Sequence, residues 1–309
     1  MTTPKIKNRR ISKNYTQLFS KLKTNKYLEE IETSKWLKCL NNSMKQHTWH
    51  QNVMQSFVKK DQFASIQMSC SDLWSIANEQ SYIEDPVLDA VLNESFKDHK
   101  QIGFIETSVF NAIENPYFSE TTVTPFKNDK DAYVAVKNIN NNHWIFVFLN
   151  FLNKTLYVVD PRRSDEQIET ARKVMKAFKQ VHHNEINASE TSKWNFMSDE
   201  WNFDCIEHNI QRDFVNCGIY CMEYALKVKN DFPIKPSYLL VESNFNDKRQ
   251  FYTAMLLNVS KPKLKVDNET IKEEEKEFIE HPYYVSKSLD EDGLGLVITL
   301  RRKKLEKTK

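Results

Sequence analysis

The sequence predicts an α+β fold with a central mixed, partly antiparallel sheet that is flanked by helices. Three observations lead to this class. Short apolar runs of strand length lie in the middle of the chain, stretches with helical spacing precede and follow them, and no internal repeat divides the 309 residues. The length suits one large domain or two small ones, and the content of 40% apolar and 28% charged residues is typical of a globular protein.

The amino-acid composition excludes several classes of protein. With only 4 glycines and neither a GxGxxG nor a GxxxxGK[ST] motif, the chain is not expected to bind dinucleotides or to carry a P-loop. It has no apolar run of the ~20 residues that a membrane span needs, and residues 1–30 lack the apolar core of a secretory signal. Five cysteines are too few, and odd in number, for a disulfide-stabilised secreted domain. We therefore expect reduced thiols and a location in the nucleus, the cytoplasm or both.

The N-terminal quarter of the chain carries no recognisable chemistry. Residues 1–14 are rich in Lys and Arg and are predicted to be disordered. Residues 15–77 are predicted to be a helical extension, mostly helical as far as about Phe63, and either a partner-binding helix or a packing extension fits this pattern. The basic ends surround an acidic middle, so nucleic acid is not expected as a partner of the core and stays open only for the basic termini.

A firmer helix is predicted to start within Tyr82-Ile83-Glu84-Asp85-Pro86. Asp85 suits the N-cap position and Pro86 the first helical position. Four apolar residues then form one stripe along the helix. They are Val87, Leu88, Val91 and Leu92.

Three strands are predicted in the middle of the chain. Ala132–Val136 is short and rich in residues that favour strands, Trp144–Leu149 is apolar on both faces and should be central and buried, and Leu156–Val159 follows. The turn residues of Asn150–Lys154 join the last two strands, which predicts an antiparallel hairpin.

Helices and short strands alternate after the hairpin. The predicted elements are a helix over 164–182, a strand over Asp204–Ile210 and a helix over Gly218–Lys229 that ends at Asp231-Phe232-Pro233. Residues 259–309 are predicted to be a charged extension, in which Lys261–Glu277 is a linker or a solvated helix and Leu294–Leu300 is a late strand.

Cys217 lies at or near the N-terminus of the helix predicted over Gly218–Lys229. The unpaired amides and the dipole at a helix N-terminus favour the thiolate form of a cysteine. Gly218 adds a backbone that another group can approach closely. A single cysteine at the start of a helix is more often a small core residue, so the interpretation of Cys217 as a nucleophile needs a base elsewhere in the chain.

A candidate base and its orienting acid lie at the two ends of the predicted hairpin. His143 begins the central strand and Asp160 ends its neighbour, so folding about the turn brings both to one edge of the sheet, with a register uncertain by a few residues. An aspartate beside a histidine at a strand end orients the imidazole and fixes its tautomer. Gln211, six positions before Cys217, can direct an amide donor at a developing oxyanion together with the Cys217 backbone N–H.

These residues together resemble the motifs of the ubiquitin-like-protein proteases, the Ulp/SENP cysteine peptidases related to the adenovirus protease. That family has His-Trp, an Asp at the end of the next strand and Q-x5-[DN]-C-G. The matching residues here are His143-Trp144, Asp160, Gln211 and Asn216-Cys217-Gly218. The order His, Asp, Gln, Cys differs from that of papain-like enzymes, in which the Cys comes first. Tyr82 to Asp85 resembles the W-L-x-D motif of the family, and the resemblance covers about 78–258.

The resemblance implies a cysteine-protease fold of the Ulp/adenain type, with a catalytic Cys at a helix N-terminus, no cofactor and a monomeric enzyme. Cys217 would be the nucleophile, His143 its base, Asp160 the orienting acid and Gln211 an oxyanion donor. The implied substrate is the Gly-Gly tail of a ubiquitin-like modifier such as SUMO or NEDD8. The implied substrate-binding residues are Trp144, Tyr82, Asp85, Asn216 and Gly218.

Two departures and two alternatives accompany this interpretation. Tyr82 replaces the Trp of the upstream motif, and Asn216 stands where Asp is more frequent. One alternative is a viral or mobile-element protease of the same fold that processes a polyprotein. The other is a catalytically inactive module that binds a ubiquitin-like protein. No metal is expected, because His47, His50 and Cys39 do not complete a set of four ligands.

Overall fold

The computed structural model describes the chain in ten segments. They are residues 4–45, 52–56, 66–107, 130–139, 142–163, 165, 167–186, 200–262, 283–289 and 296–302. The chain divides into two compact units, Met1–Lys263 and Leu264–Lys309. All candidate site residues belong to the first unit. The described part of the second unit is an antiparallel pair of strands, β9 (Tyr283–Leu289) and β10 (Leu296–Arg302).

Seven helices are described in the first unit. They are α1 (Pro4–Lys23), α2 (Glu30–Lys45), α3 (Cys70–Ala77), α4 (Asp85–Phe96), α5 (Gln167–Ile186), α6 (Cys217–Asp231) and α7 (Phe245–Val259). No helix within the described segments is both long and apolar enough to cross a membrane.

A five-stranded sheet forms the centre of this unit. Its strands, in spatial order, are β3 (Ile102–Ile105), β4 (Ala132–Ile139), β5 (His143–Asn150), β6 (Thr155–Val159) and β7 (Asn202–Asp204). The pairs at the two sides of the sheet are parallel and the pairs that include β5 are antiparallel. The prediction of a mixed, partly antiparallel sheet flanked by helices is therefore confirmed.

The middle strand β5 is buried on both faces, as its apolar run Trp144–Leu149 predicts. Alternate side chains enter two separate cores, because successive residues of a strand point to opposite faces. Phe146 and Phe148 belong to the core that contains α6, whereas Ile145 and Val147 pack with residues of α5. Every residue of β5 is buried, so the strand that begins with His143 is firmly held.

The hairpin of β5 and β6 forms, with a register that differs slightly from the simplest expectation. Phe146 pairs with Val159, and the turn contains Lys154 at a positive φ of 50°. Equal spacing about the predicted turn would have placed His143 opposite Asp160. The observed register is two residues away from that pairing, so His143 reaches Asp160 diagonally at the end of the sheet.

The expectation of a disordered segment over residues 1–14 is wrong from Pro4 onward, because α1 begins there. The Lys- and Arg-rich composition hid a helical spacing that leads from Ile11 into three buried residues of α1. They are Tyr15, Leu18 and Leu22. These side chains belong to the same core as Cys217, so no break in the core separates the N-terminal region from the rest of the unit.

Three further local predictions need correction. The helical pattern assigned as far as Phe63 contains a strand, β1 (Asn52–Ser56), which pairs with β2 (Ile66–Ser69) and with the distant β8 (Ser260–Pro262). Such long-range pairing leaves no local signal in the sequence. The strand predicted over Asp204–Ile210 ends at Asp204.

At the start of α4 the N-cap is Glu84, and Asp85 is the first helical residue. The prediction of Asp85 as N-cap is therefore wrong by one position. Helix α5 confirms the one predicted over 164–182, and β10 confirms the late strand from Leu296 onward. Most of the stretch Lys261–Glu277 lies outside the described residues.

Candidate active site

The end of the hairpin brings a histidine and an aspartate into contact. His143 is the first residue of β5 and Asp160 directly follows β6; both are buried. The His143 Nε2 atom lies 2.6 Å from Asp160 Oδ1. The same carboxylate oxygen accepts the backbone N–H of Arg162 at 2.8 Å. The imidazole is therefore held in one orientation, as the sequence pattern predicted.

The charge on His143 is set by its two neighbours. Burial disfavours the charged ring, but its hydrogen bond to the Asp160 carboxylate and the nearby Cys217 sulfur outweigh burial and raise the pKa of His143 to about 9. The imidazole is consequently protonated at neutral pH. Its second nitrogen, Nδ1, is buried and has no hydrogen-bond partner among the described residues. Contacts between a thiol and its base are often long before a substrate binds.

Cys217 is the first residue of α6 and its side chain is 0% exposed. The next residue, Gly218, packs against Ile83: a Cβ atom added to Gly218 would lie 3.1 Å from the Cβ of Ile83. A side chain here would force one of the two segments to move. The glycine therefore lets the start of α6 approach the segment that precedes α4.

The upstream motif contacts the His-Trp pair through its backbone. The indole Nε1 of buried Trp144 donates to the carbonyl oxygen of Ile83 at 2.9 Å. Tyr82, the residue before it, is 41% exposed, and Asp85 lies at the start of α4. The structure thus brings Trp144, Ile83 and Gly218 together, while the ring of Tyr82 lies at the surface.

Gln211 makes a contact that the sequence did not predict. Its Nε2 donates to the backbone oxygen of Asp213 at 2.8 Å and lies 3.1 Å from Asp213 Oδ1, and its Oε1 is buried without a hydrogen-bond partner. Rotating the amide by 180° would place its oxygen against two acceptors, so Asp213 fixes its orientation. The role of Gln211 as an oxyanion donor stays a prediction. It would require the Nε2 group, which already donates to Asp213, to donate to the oxyanion as well.

Among the described residues, no group of three or more His, Cys, Asp or Glu side chains is placed to hold a metal ion. His47 and His50 lie outside the described residues. A cavity of about 780 Å³ opens beside Asp213 and is also lined by Arg163, His208, Tyr220 and Tyr238. It does not include Cys217 or His143.

The chain is similar to known proteins both in part of its sequence and in its fold. The family model of the YopJ serine/threonine acetyltransferases matches residues 108–245, a range that contains His143, Asp160 and Cys217. No curated protein matches the sequence. Among the solved structures that align over most of their length are two of a SUMO protease. The SUMO protease Ulp1 with its catalytic cysteine oxidised to a sulfenic acid aligns with a TM-score of 0.52 and 13% identity, over 75% of this chain and 95% of that one.

The second structure is the C-terminal Ulp1 protease domain in complex with Smt3, the yeast ortholog of SUMO. It aligns with a TM-score of 0.51 and 13% identity, over 75% of this chain and 96% of that one. The chain has the fold of the Ulp1-type cysteine proteases. The resemblance that the motifs predicted is therefore confirmed at the level of the fold.

Within this Ulp-type fold, sequence analysis missed three residues that support the site. Asp213 accepts the backbone N–H groups of Val215 and Asn216 at 2.9 and 2.8 Å, which shapes the turn before Cys217. Burial opposes its charge, but these hydrogen bonds prevail and lower the pKa of Asp213. An Asp two and three residues before the amides it accepts is a known turn pattern, so this residue had a readable signal.

The other two missed residues are a histidine and an arginine. The two ring nitrogens of buried His208 each lie 2.8 Å from a backbone carbonyl oxygen, that of Ile206 and that of Asp160. His208 thereby supports the segment that carries Asp160. Arg249 of α7 is 1% exposed, and its guanidinium donates to the side-chain oxygen of Asn216. Neither His208 nor Arg249 stands in a motif, so no sequence signal identified them.

Proposed function

We propose that this chain is a cysteine protease or isopeptidase that cleaves after glycine at the C-terminal tail of a ubiquitin-like modifier, SUMO- or NEDD8-like. It would process precursors or release the modifier from target lysines. The observation that carries the proposal is the 2.6 Å contact between His143 and Asp160, together with a Cys217 at the start of α6 that is close enough to raise the pKa of His143. The alignment with Ulp1 in complex with Smt3 supports the class of substrate.

The mechanism starts from a protonated His143, since its pKa of about 9 keeps the ring charged at neutral pH. The thiolate of Cys217 attacks the carbonyl carbon of the glycine and forms a tetrahedral intermediate. The protonated His143 gives its proton to the leaving amine as the C–N bond breaks, which leaves a thioester on Cys217. His143 then takes a proton from water as the water attacks the thioester, and the thiolate departs. Asp160 stabilises the imidazolium in both steps.

The oxyanion of the intermediate needs hydrogen-bond donors in a dry environment. The backbone N–H of Cys217 and the amide of Gln211 would supply them. Cys217 and Trp144 are both buried, so only a narrow extended chain would reach the thiol. Glycine suits such a path because it has no Cβ.

A second candidate function is acyl transfer to a hydroxyl group. The match to the YopJ serine/threonine acetyltransferase family over residues 108–245 favours it. Cys217 would carry the acetyl group as a thioester. His143, oriented by Asp160, would then help to pass it to the hydroxyl of a serine or threonine in place of water. The difference between the two functions lies in the acyl donor and in the acceptor.

The decisive experiment exposes the full chain to ubiquitin-like proteins whose C-termini carry an electrophile, and separately to acetyl-CoA. We expect at least one ubiquitin-like probe to label wild type and none to label Cys217→Ser. Cys221→Ser is the matched control, because Cys221 is a buried thiol of the same helix, and it should retain labelling. Cleavage of a labelling modifier's precursor by Cys217→Ser at full rate would overturn the assignment of the nucleophile.

Other outcomes select the alternatives. An acetyl thioester on Cys217 after incubation with acetyl-CoA, without probe labelling, would replace the protease by the acetyltransferase. Labelling by no probe and no acetylation would replace it by a polyprotein-processing protease or an inactive binding module, and cleavage of Gly-containing polypeptides separates these two.

We also propose a monomer that acts in the nucleus or the cytoplasm. All five cysteines are free thiols, which supports a reducing environment.

A further inference from the structure

We propose that the cavity beside Asp213 is a docking subsite for the polypeptide that leaves when the scissile bond is cut, and that it selects a segment with an acidic residue next to an apolar one. The inference rests on the proposed cleavage at Cys217, and it names the part of the substrate beyond the cut, which none of the sequence motifs addresses. The cavity measures about 780 Å³, a size typical of ligand-binding pockets.

A buried tyrosine directs a donor into this cavity. Tyr220 lines the cavity and is only 3% exposed, and its ring packs against Phe245 with 5.6 Å between the ring centroids. Its hydroxyl makes no hydrogen bond with a described residue and is not sealed off from solvent, although a buried tyrosine hydroxyl usually has a partner. Burial and the Asp213 carboxylate raise the pKa of Tyr220, so the hydroxyl is a protonated donor at neutral pH.

Two arginines add positive charge to the same cavity. Arg163 and Arg212 line it, are exposed, and make no side-chain hydrogen bond or ion pair within the described residues. They lie on neighbouring backbone segments, because the N–H of Gln211 donates to the carbonyl oxygen of Pro161 at 2.7 Å. The N–H of Arg163 donates to the carbonyl oxygen of Asp160 at 2.8 Å, so the turn after β6 fixes its backbone. Two unpaired guanidinium groups beside a phenol suit a carboxylate.

The two acidic residues of the cavity differ in how far their charge is already compensated. The Asp213 carboxylate accepts N–H groups of Gln211, Val215 and Asn216. The exposed Glu207 carboxylate has no such donor among the described residues. A ligand carboxylate therefore meets two unpaired positive charges and one unpaired negative charge, so Glu207 weakens the attraction without cancelling it.

Apolar side chains complete the lining of the cavity. Val241 and Phe245 form part of the wall, and Ile210, which also lines the cavity, is 45% exposed. Exposed apolar surface beside a polar cavity favours an apolar contact with a partner. The lining therefore fits an acidic side chain with a leucine-like neighbour better than it fits a small anion.

The place of the cavity assigns its occupant to the leaving side of the substrate. Neither Trp144 nor Ile83, which meet beside Gly218 on the path proposed for the glycine tail, lines the cavity. Tyr220 lies one helical turn after Cys217, about 4.5 Å along the axis of α6. An extended chain advances ~3.3 Å per residue, so the acidic residue should stand about two to four positions from the cut or from the modified lysine.

The test uses two precursors of the modifier that the electrophile experiment identifies. Gly-Gly is followed by Ala-Leu-Glu-Leu-Ala in one precursor and by Ala-Leu-Gln-Leu-Ala in the other. Wild type should cleave the glutamate precursor with about tenfold higher kcat/KM, mainly through a lower KM, which is the size expected of two partly exposed charge pairs. Arg163→Gln/Arg212→Gln should reduce this ratio to about one, and Tyr220→Phe should lower it about threefold.

Two further variants separate recognition from a general structural effect. Glu207→Gln removes the repulsive carboxylate, so the ratio should rise about threefold above that of wild type. Damage to the loop before Cys217 would slow both precursors alike and could not raise the ratio. Arg172→Gln is the matched control, because Arg172 is an exposed arginine of α5, and it should keep the wild-type ratio.

A binding measurement decides the proposal if no modifier is found. The same two pentapeptides, dansyl-labelled and with amidated C-termini, need no cleavage, and wild type should bind the glutamate peptide about tenfold more tightly in fluorescence anisotropy. If wild type reacts with no probe, the proposed function fails while this difference in Kd still tests the cavity.

Three results would overturn the proposal. They are equal cleavage of both precursors by a wild type that processes the modifier, equal or unmeasurable binding of the two peptides where no modifier is found, and a preference for glutamate that the double arginine variant retains. The first two would show that the cavity does not recognise an acidic residue, and the third would place that recognition elsewhere on the chain.

Discussion

The two halves of the candidate active site are held in opposite ways. His143 and Asp160 are 17 positions apart and meet because a hairpin folds locally. Cys217 depends on remote contacts: Arg249 binds Asn216 from 33 positions away and Ser75 from 174 positions away. The acid–base half of the site is therefore fixed by strand register, whereas the nucleophile half is fixed by packing between helices.

The largest effect is expected from breaking the local half with Asp160→Asn. Asparagine keeps an acceptor for the Arg162 N–H but loses the charge that stabilises the imidazolium. We expect kcat/KM to fall by up to ~10⁴, as for the equivalent change in other triads. The alkaline limb of the pH profile, near the His143 pKa of about 9, should move to lower pH. Asp165→Asn, an exposed neighbour, is the control.

The same substitution has a pH-dependent effect on stability. The raised pKa of His143 contributes stability that is fully present below its ordinary value of 6.5 and is lost as the pH rises through about 9. The difference in Tm between wild type and Asp160→Asn should therefore be largest in mild acid and vanish in alkali. An alkaline limb that does not move would show that Asp160 is not the charge that holds the proton on His143.

An intermediate effect is expected from Gly218→Ala, which disturbs the nucleophile half. Alanine favours the helix by up to ~1 kcal/mol, but its Cβ would meet Ile83 at 3.1 Å. Overpacking costs about 1–3 kcal/mol, so we expect a net loss of stability in urea unfolding, and kcat about tenfold lower because the start of α6 moves. Lys227→Ala on the exposed side of α6 is the control. Unchanged stability together with unchanged kcat would show that Ile83 yields freely.

The smallest effect is expected from Tyr82→Trp, a substitution at an exposed position of the upstream motif. If Tyr82 forms one wall of the channel, the larger ring narrows it, and the ratio of kcat/KM for peptides ending in Gly-Gly and in Ala-Gly should rise. One contact of this size discriminates by about 1–3 kcal/mol. Stability should stay within about 0.5 kcal/mol, because the side chain is exposed. Tyr238→Trp, at an equally exposed tyrosine, should leave the ratio unchanged.

An unchanged ratio for Tyr82→Trp would remove Tyr82 from the channel. The contribution of the upstream motif would then come from Ile83, whose backbone oxygen accepts from Trp144 and whose side chain packs on Gly218.

The difference between the two halves also explains what could be predicted from the sequence. The fully apolar run of β5 and the turn residues after it predicted the hairpin, and hence the meeting of His143 with Asp160. The register was two residues from the simplest estimate, because the turn decides it and equal spacing does not. Cys217 was placed correctly at the start of a helix, because the helical spacing over Gly218–Lys229 begins directly after it.

The supports of the nucleophile could not be predicted in this way. Arginine in an amphipathic helix is ordinarily exposed, and the burial of Arg249 follows only from the joint position of α3, α6 and α7. The strand β1, which was mistaken for helix, has one partner nearby in the sequence, β2, but its other partner, β8, is about 200 residues away, and that pairing leaves no local signal. The burial of Arg249 and the pairing of β1 with β8 are both set by tertiary packing, which the local sequence does not reveal.

Helix α7 has a second neighbour besides the active site. Trp36 of α2 donates from its indole nitrogen to the carbonyl oxygen of Leu257 at 3.0 Å, and Asn25 donates to that of Gln250 at 2.9 Å. The N-terminal region thus covers backbone groups of the helix that carries Arg249. Local opening of α7 must first release these contacts, so its slowest-exchanging amides should report the stability of a region that has no chemistry of its own. A chain with Trp36→Phe and Asn25→Ala would lose these two hydrogen bonds, and its turnover should become sensitive to temperature well below global unfolding.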